Sequence, residues 1–433
     1  MKTTVPLAPQ TSMLIPRGVA DYFWEEALQR RRLEVALLEI FRTWGYEDVI
    51  PPMFEYTNTF SRHANNELQA EMVRFQDRDG STLALRADMT IAVARLVGTR
   101  LHDWPMPQRF CYTGSVFRDT ALQAGRQREF LQAGIELIGA PSPAADAEIL
   151  ALTAKALQMA GLTGFKVVLG QMGYFHGLRQ ALQLTPDQQL WLQQAIDRNS
   201  EPEVASFLRA IALPPQQRRA IEELPSLNGH DVAAILAHAE QLCLNQVMQA
   251  ALNNLRAICT ALDSYGLLDF IYVDLTEIHN LGYYTGLTFE ALAPGLGFPV
   301  ATGGRYDQMI GAFGKPEAAV GAAFILDRML MARRDSTGQP KPPQPVAPQF
   351  LVAATTSSQC LALVEQWRAQ GIRVAVDVGD QTVNELWQMA QKIGCKRVLV
   401  WTGAGFDVYE DAPAPARYVA ADKQEQLMSL GSG

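Results

Sequence analysis

The sequence predicts a mixed α/β (α+β) fold in which an antiparallel sheet is flanked by helices, interrupted by a helical insertion and followed by a small C-terminal α/β domain. Three observations predict it. Between residues 83 and 130 the pattern is one of apolar and polar residues in strand-like alternation around loops. From about residue 170 to 270 the chain becomes rich in Gln, Leu and Ala at helical spacing, with few Gly. Finally, a Pro-rich stretch from Arg333 to Pro348 sets off a tail in which strand and helix patterns alternate. The expected organisation is a large domain over 1–330 with its insertion at about 170–270, a semi-rigid linker over 331–349, and a small domain over 350–433.

A chain of 433 residues with 48% apolar content can bury a core in each of two or three domains. Its net charge of −8 weighs against a phosphate backbone as the main partner, tRNA included, because such binding draws on clustered Lys and Arg. Cys111, Cys243, Cys259, Cys360 and Cys395 are odd in number and widely spaced, with no C-x-x-C pair, so reduced thiols and no metal are expected. No cofactor motif stands out. The opening residues lack a signal peptide's apolar core and no run of about 18 apolar residues could span a bilayer, so the expectation is a cytoplasmic protein without a membrane partner.

Asp21 to Trp44 reads as an amphipathic helix, with Leu33, Ala36, Leu37, Ile40, Phe41 and Trp44 on one stripe, Asp21 as a cap and Gly45 as a stop. Glu47 to Glu55 reads as a short strand whose Pro51 and Pro52 donate nothing to a ladder and so suggest an edge or an interface. Leu287 to Glu290 and Pro299 to Thr302 read as strands, and Val320 to Met331 as a helix. In the tail, strands are expected at 350–354, 373–378 and 397–401 and helices at 358–369 and 383–393.

Polar residues concentrate in a few places. In the strand 128–139, Gln132 and Glu136 share a face and look out together over Gly134; alternation alone fits a solvated face equally well. Before it, Phe117-Arg118 through Arg126 and Arg128 forms a loop whose arginines suit a phosphate or carboxylate, or a solvated hairpin. Asp88 and Thr90 stand at a strand-to-helix junction, where capping is the plain role. Tyr283-Tyr284-Thr285-Gly286 and Gly303-Gly304-Arg305-Tyr306-Asp307 form a Gly- and Tyr-rich pair.

Taken in order, these pieces resemble the histidyl-tRNA synthetase group of class II aminoacyl-tRNA synthetases, from about Pro16 to Arg328 apart from the insertion. The first helix and the Pro-bearing strand resemble motif 1, the dimer-forming element, with Pro52 at the family's proline. Phe117 to Gln132 resembles motif 2, the Gly- and Tyr-rich pair the two histidine motifs, and Ala319 to Arg328 motif 3. The resemblance implies a histidine pocket lined by Asp88, Thr90, Gln132, Glu136 and Tyr284, with Asp88 replacing the family's usual glutamate. It also implies that Arg118, Arg126 and Arg328 are an anion-binding remnant. The tail 374–403 resembles a shortened anticodon-binding domain.

The departures are in the nucleotide and transfer groups. Thr120, Ala121 and Leu122 stand where motif 2 has Glu-Arg-Pro, His279 where the family has an arginine, Ile325 for a glycine and Asp327 for a glutamate. Losing one such preorganised group costs on the order of 3 to 4 kcal/mol of transition-state stabilisation. A retained amino-acid pocket beside a degraded transfer site resembles the ATP phosphoribosyltransferase regulatory subunits, non-catalytic synthetase paralogues of histidine biosynthesis. That likeness implies a short-form ATP phosphoribosyltransferase catalytic subunit as partner in a hetero-oligomer, L-histidine as effector, and self-dimerisation. A divergent active histidyl-tRNA synthetase is the alternative.

Overall fold

The computed structural model describes residues 14–61, 66–120, 127–198, 200–276, 283–333, 346–353, 357–379, 381–410 and 413–423. Arg126, His279, Ala121, Leu122 and most of the Pro-rich stretch lie outside these described residues. Two compact units result, one of residues 14–21 and 30–333, the other of 22–29 and 346–423.

The strands of the larger unit, in chain order, are β1 (Glu47–Asp48), β2 (Phe54–Tyr56), β3 (Arg74–Gln76), β4 (Thr82–Leu85), β5 (Gln108–Phe117), β6 (Glu129–Ile138), β7 (Lys166–Gln171), β8 (Asn228–Gly229), β9 (Ile271–Asp274), β10 (Leu287–Leu292), β11 (Ala301–Arg305) and β12 (Ala319–Ile325). Nine of them build one sheet in the order β1-β5-β6-β12-β11-β10-β7-β9-β8, while β2, β4 and β3 form a small sheet of their own. The central strands β5, β6, β12, β11, β10 and β7 pair antiparallel.

The helices are α1 (Trp24–Thr43), α2 (Thr57–Ser61), α3 (Asn66–Ala70), α4 (Thr90–Leu96), α5 (Pro143–Met159), α6 (Met172–Leu182), α7 (Pro186–Asp197), α8 (Glu201–Ala210), α9 (Pro215–Glu222), α10 (Val232–Gln241), α11 (Gln246–Ser264) and α12 (Leu326–Arg333). One face of the sheet buries Ala133, Ile135 and Leu137 of β6 and Ala322 and Phe324 of β12 in a cluster with Leu33, Leu37 and Phe41 of α1 and Ile149 and Leu150 of α5. The Phe41 and Phe324 rings are 5.4 Å apart. The stretch 172–264 is almost wholly α6 to α11; Thr185, Ser200, Asp231 and Asn245 cap α7, α8, α10 and α11, each accepting a backbone N–H bond.

Four sequence expectations change. α1 begins at Trp24 rather than Asp21, with Trp24 itself at φ 51°. The run 47–55 splits between two sheets, because Pro51 and Pro52 lack the N–H groups a continuous ladder requires. Residues 319–325 are strand β12, with a helix only from Leu326. Gly321, Ala322 and Ala323 read as helical because they are small, but their ladder bonds to β11 and β6 decide the matter. β11 covers Ala301–Arg305, two residues further on than expected.

The smaller unit has strands β13 (Phe350–Ala353), β14 (Val374–Val376), β15 (Val398–Trp401), β16 (Gly405–Tyr409) and β17 (Arg417–Ala420), with α13 (Ser358–Ala369) and α14 (Val383–Ile393). The sheet order is β14-β13-β15-β16-β17. Alternation along β13 sends Phe350 and Val352 into one cluster with Trp367 of α13, and Leu351 into another with Leu386 and Trp387 of α14. β16 and β17 carry no sequence expectation; they form the antiparallel half of this sheet.

Candidate functional site

The second face of the large sheet is hollow because of where glycine falls in its register. Glu136 of β6 pairs with Gly321 of β12, which pairs in turn with Gly304 of β11. A Cβ at position 321 would land on Glu136 Oε2, and one at 304 would come within 2.8 Å of the Tyr284 ring. The missing side chains leave a cavity of about 220 Å³. Sites for drug-sized ligands span roughly 300 to 1,000 Å³, so this one suits a single small metabolite.

Its inner end is lined by Asp88, Thr90, Gln132, Glu136, Tyr283, Tyr284 and Tyr306. Asp88 and Thr90 arrive from the junction of β4 and α4, where the Thr90 N–H donates to Asp88 Oδ1 at 2.7 Å. Glu136 is 1% exposed and accepts bonds from the hydroxyls of Tyr112, at 3.0 Å, and of Tyr306. Burial is the main cause that pushes its carboxyl up to about 8, and the facing Asp88 adds to it, while the hydroxyls of Tyr306, Thr90 and Tyr112 pull the other way. The phenols of Tyr112, Tyr283 and Tyr306 are pushed well up by burial and are neutral donors. Gln132 is 3% exposed, and its Oε1 is buried without a hydrogen-bond partner among the described residues. Leaving a buried acceptor unpaired costs about 1 to 3 kcal/mol, a cost that a donor placed in the cavity would offset.

The outer end holds Arg118, Phe130, Glu290, Pro299, Thr302, Ile325 and Arg328. Arg118 donates to the Ala87 carbonyl at 3.0 Å and lies over the Phe130 ring at 5.4 Å. Arg328 donates to the Pro299 carbonyl at 2.8 Å and lies over Phe298 at 4.7 Å. Burial raises the Glu290 carboxyl and Arg328 lowers it.

The five residues of the sequence-derived pocket thus face one cavity, and Arg118 and Arg328 join them. Arg126 lies outside the described residues. Asp327 is not on the lining: it pairs with Arg30 of α1 and accepts the Leu131 N–H at 3.0 Å, a tie between α1, α12 and β6. Ile325, by contrast, is part of the lining. Tyr112, Tyr306 and Glu290 were not among the expected site residues. Tyr306 sits inside a motif already singled out and Glu290 at the end of an expected strand, whereas Tyr112 is signalled only by its cross-strand partner, Gly134. Among the described residues no three His, Cys, Asp or Glu side chains gather to hold a metal, and no helix is long and apolar enough to cross a membrane.

A cavity walled by the carboxyl groups of Asp88 and Glu136, by a Gln132 oxygen without a partner among the described residues and by neutral phenols offers more acceptors than donors. It fits a small ligand rich in N–H groups and carrying positive charge. The Arg305 network braces this wall: Arg305 pairs with the fully buried Asp146 of α5 at 2.7 Å and with Asp307 at 3.0 Å, while its carbonyl accepts the Thr285 N–H at 2.8 Å. Tyr284 and Tyr306 are the chain neighbours of these groups.

Residues 18–329 match the family described as histidyl-tRNA synthetase. The chain is 35% identical over 431 residues to the ATP phosphoribosyltransferase regulatory subunit of Syntrophotalea carbinolica, covering 99% of this chain and 97% of that one. It is 36% identical to the protein of the same description from Moorella thermoacetica, covering 92% and 100%. Among solved structures, an ATP phosphoribosyltransferase regulatory subunit/histidyl-tRNA synthetase from Bacillus halodurans superposes with a TM-score of 0.79 at 28% identity, covering 89% of this chain and 97% of that one. The histidyl-tRNA synthetase of Nostoc shares the fold, with a TM-score of 0.77 at 20% identity over 96% and 99% of the two chains. Matched to that family over residues 18–329 and 35% and 36% identical to two full-length proteins of that description, the chain belongs to the ATP phosphoribosyltransferase regulatory subunit family, built on the histidyl-tRNA synthetase domain.

Proposed function

We propose that this chain is the non-catalytic regulatory subunit of an ATP phosphoribosyltransferase, that it assembles with a short-form catalytic subunit, and that it takes L-histidine in the cavity as the signal for feedback control of histidine biosynthesis. The observation that carries the ligand assignment is the convergence of Asp88, Glu136 and Gln132 Oε1, which has no partner among the described residues, on one cavity of amino-acid size. Histidine matches it, with an α-ammonium for Asp88 and Gln132 and an imidazole N–H for Glu136. Linkage then supplies the regulation: a ligand that favours one state of the complex shifts the population toward it, and a coupling of about 1 to 3 kcal/mol suffices for marked inhibition.

The departure from the synthetase pattern in the motif 2 segment supports a role without synthetase chemistry. Thr120 stands where the synthetases carry a glutamate, and its buried Oγ1 has no partner among the described residues. Self-association is supported by the surface around the proline pair: Ile50 is 91% exposed, and Met53, Phe54, Tyr56 and Phe75 are exposed beside it, with the Phe54 and Phe75 rings 5.8 Å apart. An apolar group of this kind on β2 and β3 marks an interaction surface. The net charge of −8 supports protein partners rather than tRNA.

A divergent active histidyl-tRNA synthetase is the second reading, favoured by Arg118, Phe130 and Arg328 at one end of the same cavity. Calorimetric titration with histidine, followed by histidine-dependent ATP–pyrophosphate exchange, separates the two. Histidine binding without exchange is expected; exchange above background would turn the assignment to a synthetase.

A further inference from the structure

The segment that brings Asp88 and Thr90 to the cavity is fastened on its other side to the stretch carrying the exposed apolar surface. Arg86, two residues before Asp88, is 6% exposed and gives its guanidinium to backbone carbonyls: Nη1 donates to Pro51 at 2.9 Å and Nε to Ser115 at 2.7 Å. Its backbone N–H donates to the Met53 carbonyl at 2.9 Å, and its own carbonyl accepts the Phe117 N–H at 3.0 Å. Gly114 leaves the room for the guanidinium, since a Cβ there would overlap Nη2. Further along α4, Arg95 donates to Glu55 at 2.8 Å, and Glu55 is only 9% exposed. Residues 86–95 are therefore clasped at two points to residues 51–55.

Stability alone does not explain the arginine. Among the described residues it has no carboxylate partner, and burial lowers its pKa. A buried charge satisfied by neutral carbonyls carries a desolvation cost that an apolar side chain of similar volume avoids. What an apolar side chain does not supply is direction, because the planar guanidinium fixes two carbonyls in one geometry.

We propose that Arg86, with the Glu55–Arg95 pair, is a positioning group for the cavity: it holds the 86–95 segment against 51–55, sets where Asp88 and Thr90 stand, and thereby sets the site's preference for a ligand bearing an α-ammonium. This rests on the histidine reading above and goes beyond it in making residues outside the lining determine selectivity. It also places the selectivity of the cavity and the surface formed by Ile50, Met53 and Phe54 on one mechanical element.

The test compares L-histidine with 3-(imidazol-4-yl)propionate, which lacks the amino group, by calorimetric titration of the wild type, Arg86→Met, Arg86→Lys and Glu55→Gln. The preference for histidine is expected to shrink by about tenfold in Arg86→Met, the scale of a misplaced charge-assisted hydrogen bond, with the affinity for the propionate changing little. Arg86→Lys falls between, and Glu55→Gln shifts in the same direction. Equal losses for both ligands, the signature of general loosening, would overturn the proposal, as would an unchanged preference in both Arg86→Met and Glu55→Gln. Should Arg86→Met fail to fold, Glu55→Gln decides by the same criterion. Wild-type protein that binds no histidine removes the histidine reading and this inference together, whereas wild-type binding with unaltered variants removes only the latter.

Discussion

The ring of Tyr112 on β5 fills the space over Gly134 on β6, and its hydroxyl donates to Glu136 at 3.0 Å. The gap that alternation leaves between Gln132 and Glu136 is thus not open. It houses the donor that holds the buried carboxylate in place, so the cavity begins beyond that ring.

Glu136→Gln is expected to weaken histidine binding by about tenfold or more, the scale of a lost charged hydrogen bond. The same change is expected to stabilise the free protein at alkaline pH. A carboxyl raised from 4.5 to about 8 binds its proton more tightly when folded than when unfolded, so its contribution to stability is greatest below about 4.5, declines as pH rises toward 8 and is flat above. Melting curves at pH 5 and pH 9 check this: the variant should gain on the wild type only at the higher pH.

Gly321→Ala places a Cβ on Glu136 Oε2. Moving the carboxylate aside is expected to cost about 1 to 3 kcal/mol, as overpacking does, and to abolish histidine binding. Urea denaturation and calorimetry report the two effects separately.

Asp146→Ala leaves Arg305 buried with Asp307 as its one carboxylate partner among the described residues, beside the Ala140 and Ser142 carbonyls; the Arg305 and Asp146 side chains are 9% and 0% exposed. Breaking a buried pair from one side costs about 3 to 5 kcal/mol. A fall in the urea midpoint with an unchanged slope is the expected record.

Phe54→Lys on the exposed surface is expected to shift sedimentation toward the monomer with little change in unfolding of the monomer itself, because Phe54 is 53% exposed and packs only lightly within the chain.

How much of this was legible in the sequence depends on how local the signal was. Period-two alternation in 128–139 gave the face of Gln132 and Glu136, and Asp88 and Thr90 stood in a junction motif, so the inner end of the cavity could be assembled from short-range pattern and resemblance. Tyr112 could not, because its role follows from the pairing of β5 with β6 across a long hairpin. β12 was hidden by its own composition: Gly-Ala-Ala is ambiguous until its neighbours on both sides are known. The apparent single strand over 47–55 failed for a similar reason, since two sheets compete for residues on either side of the prolines. Asp327 was assigned to the nucleotide motif by position, yet its partner Arg30 lies far away in sequence and draws it out of the cavity.

The central claim is regulation of a catalytic partner through histidine. It is tested most directly by the ATP phosphoribosyltransferase activity of a short-form catalytic subunit from the same source, with and without this chain, across a histidine titration. The account predicts that the chain activates the subunit, that histidine inhibits the complex, and that Glu136→Gln moves the inhibition to higher histidine. Activity that is indifferent to the chain, or inhibition unchanged by Glu136→Gln, would contradict it.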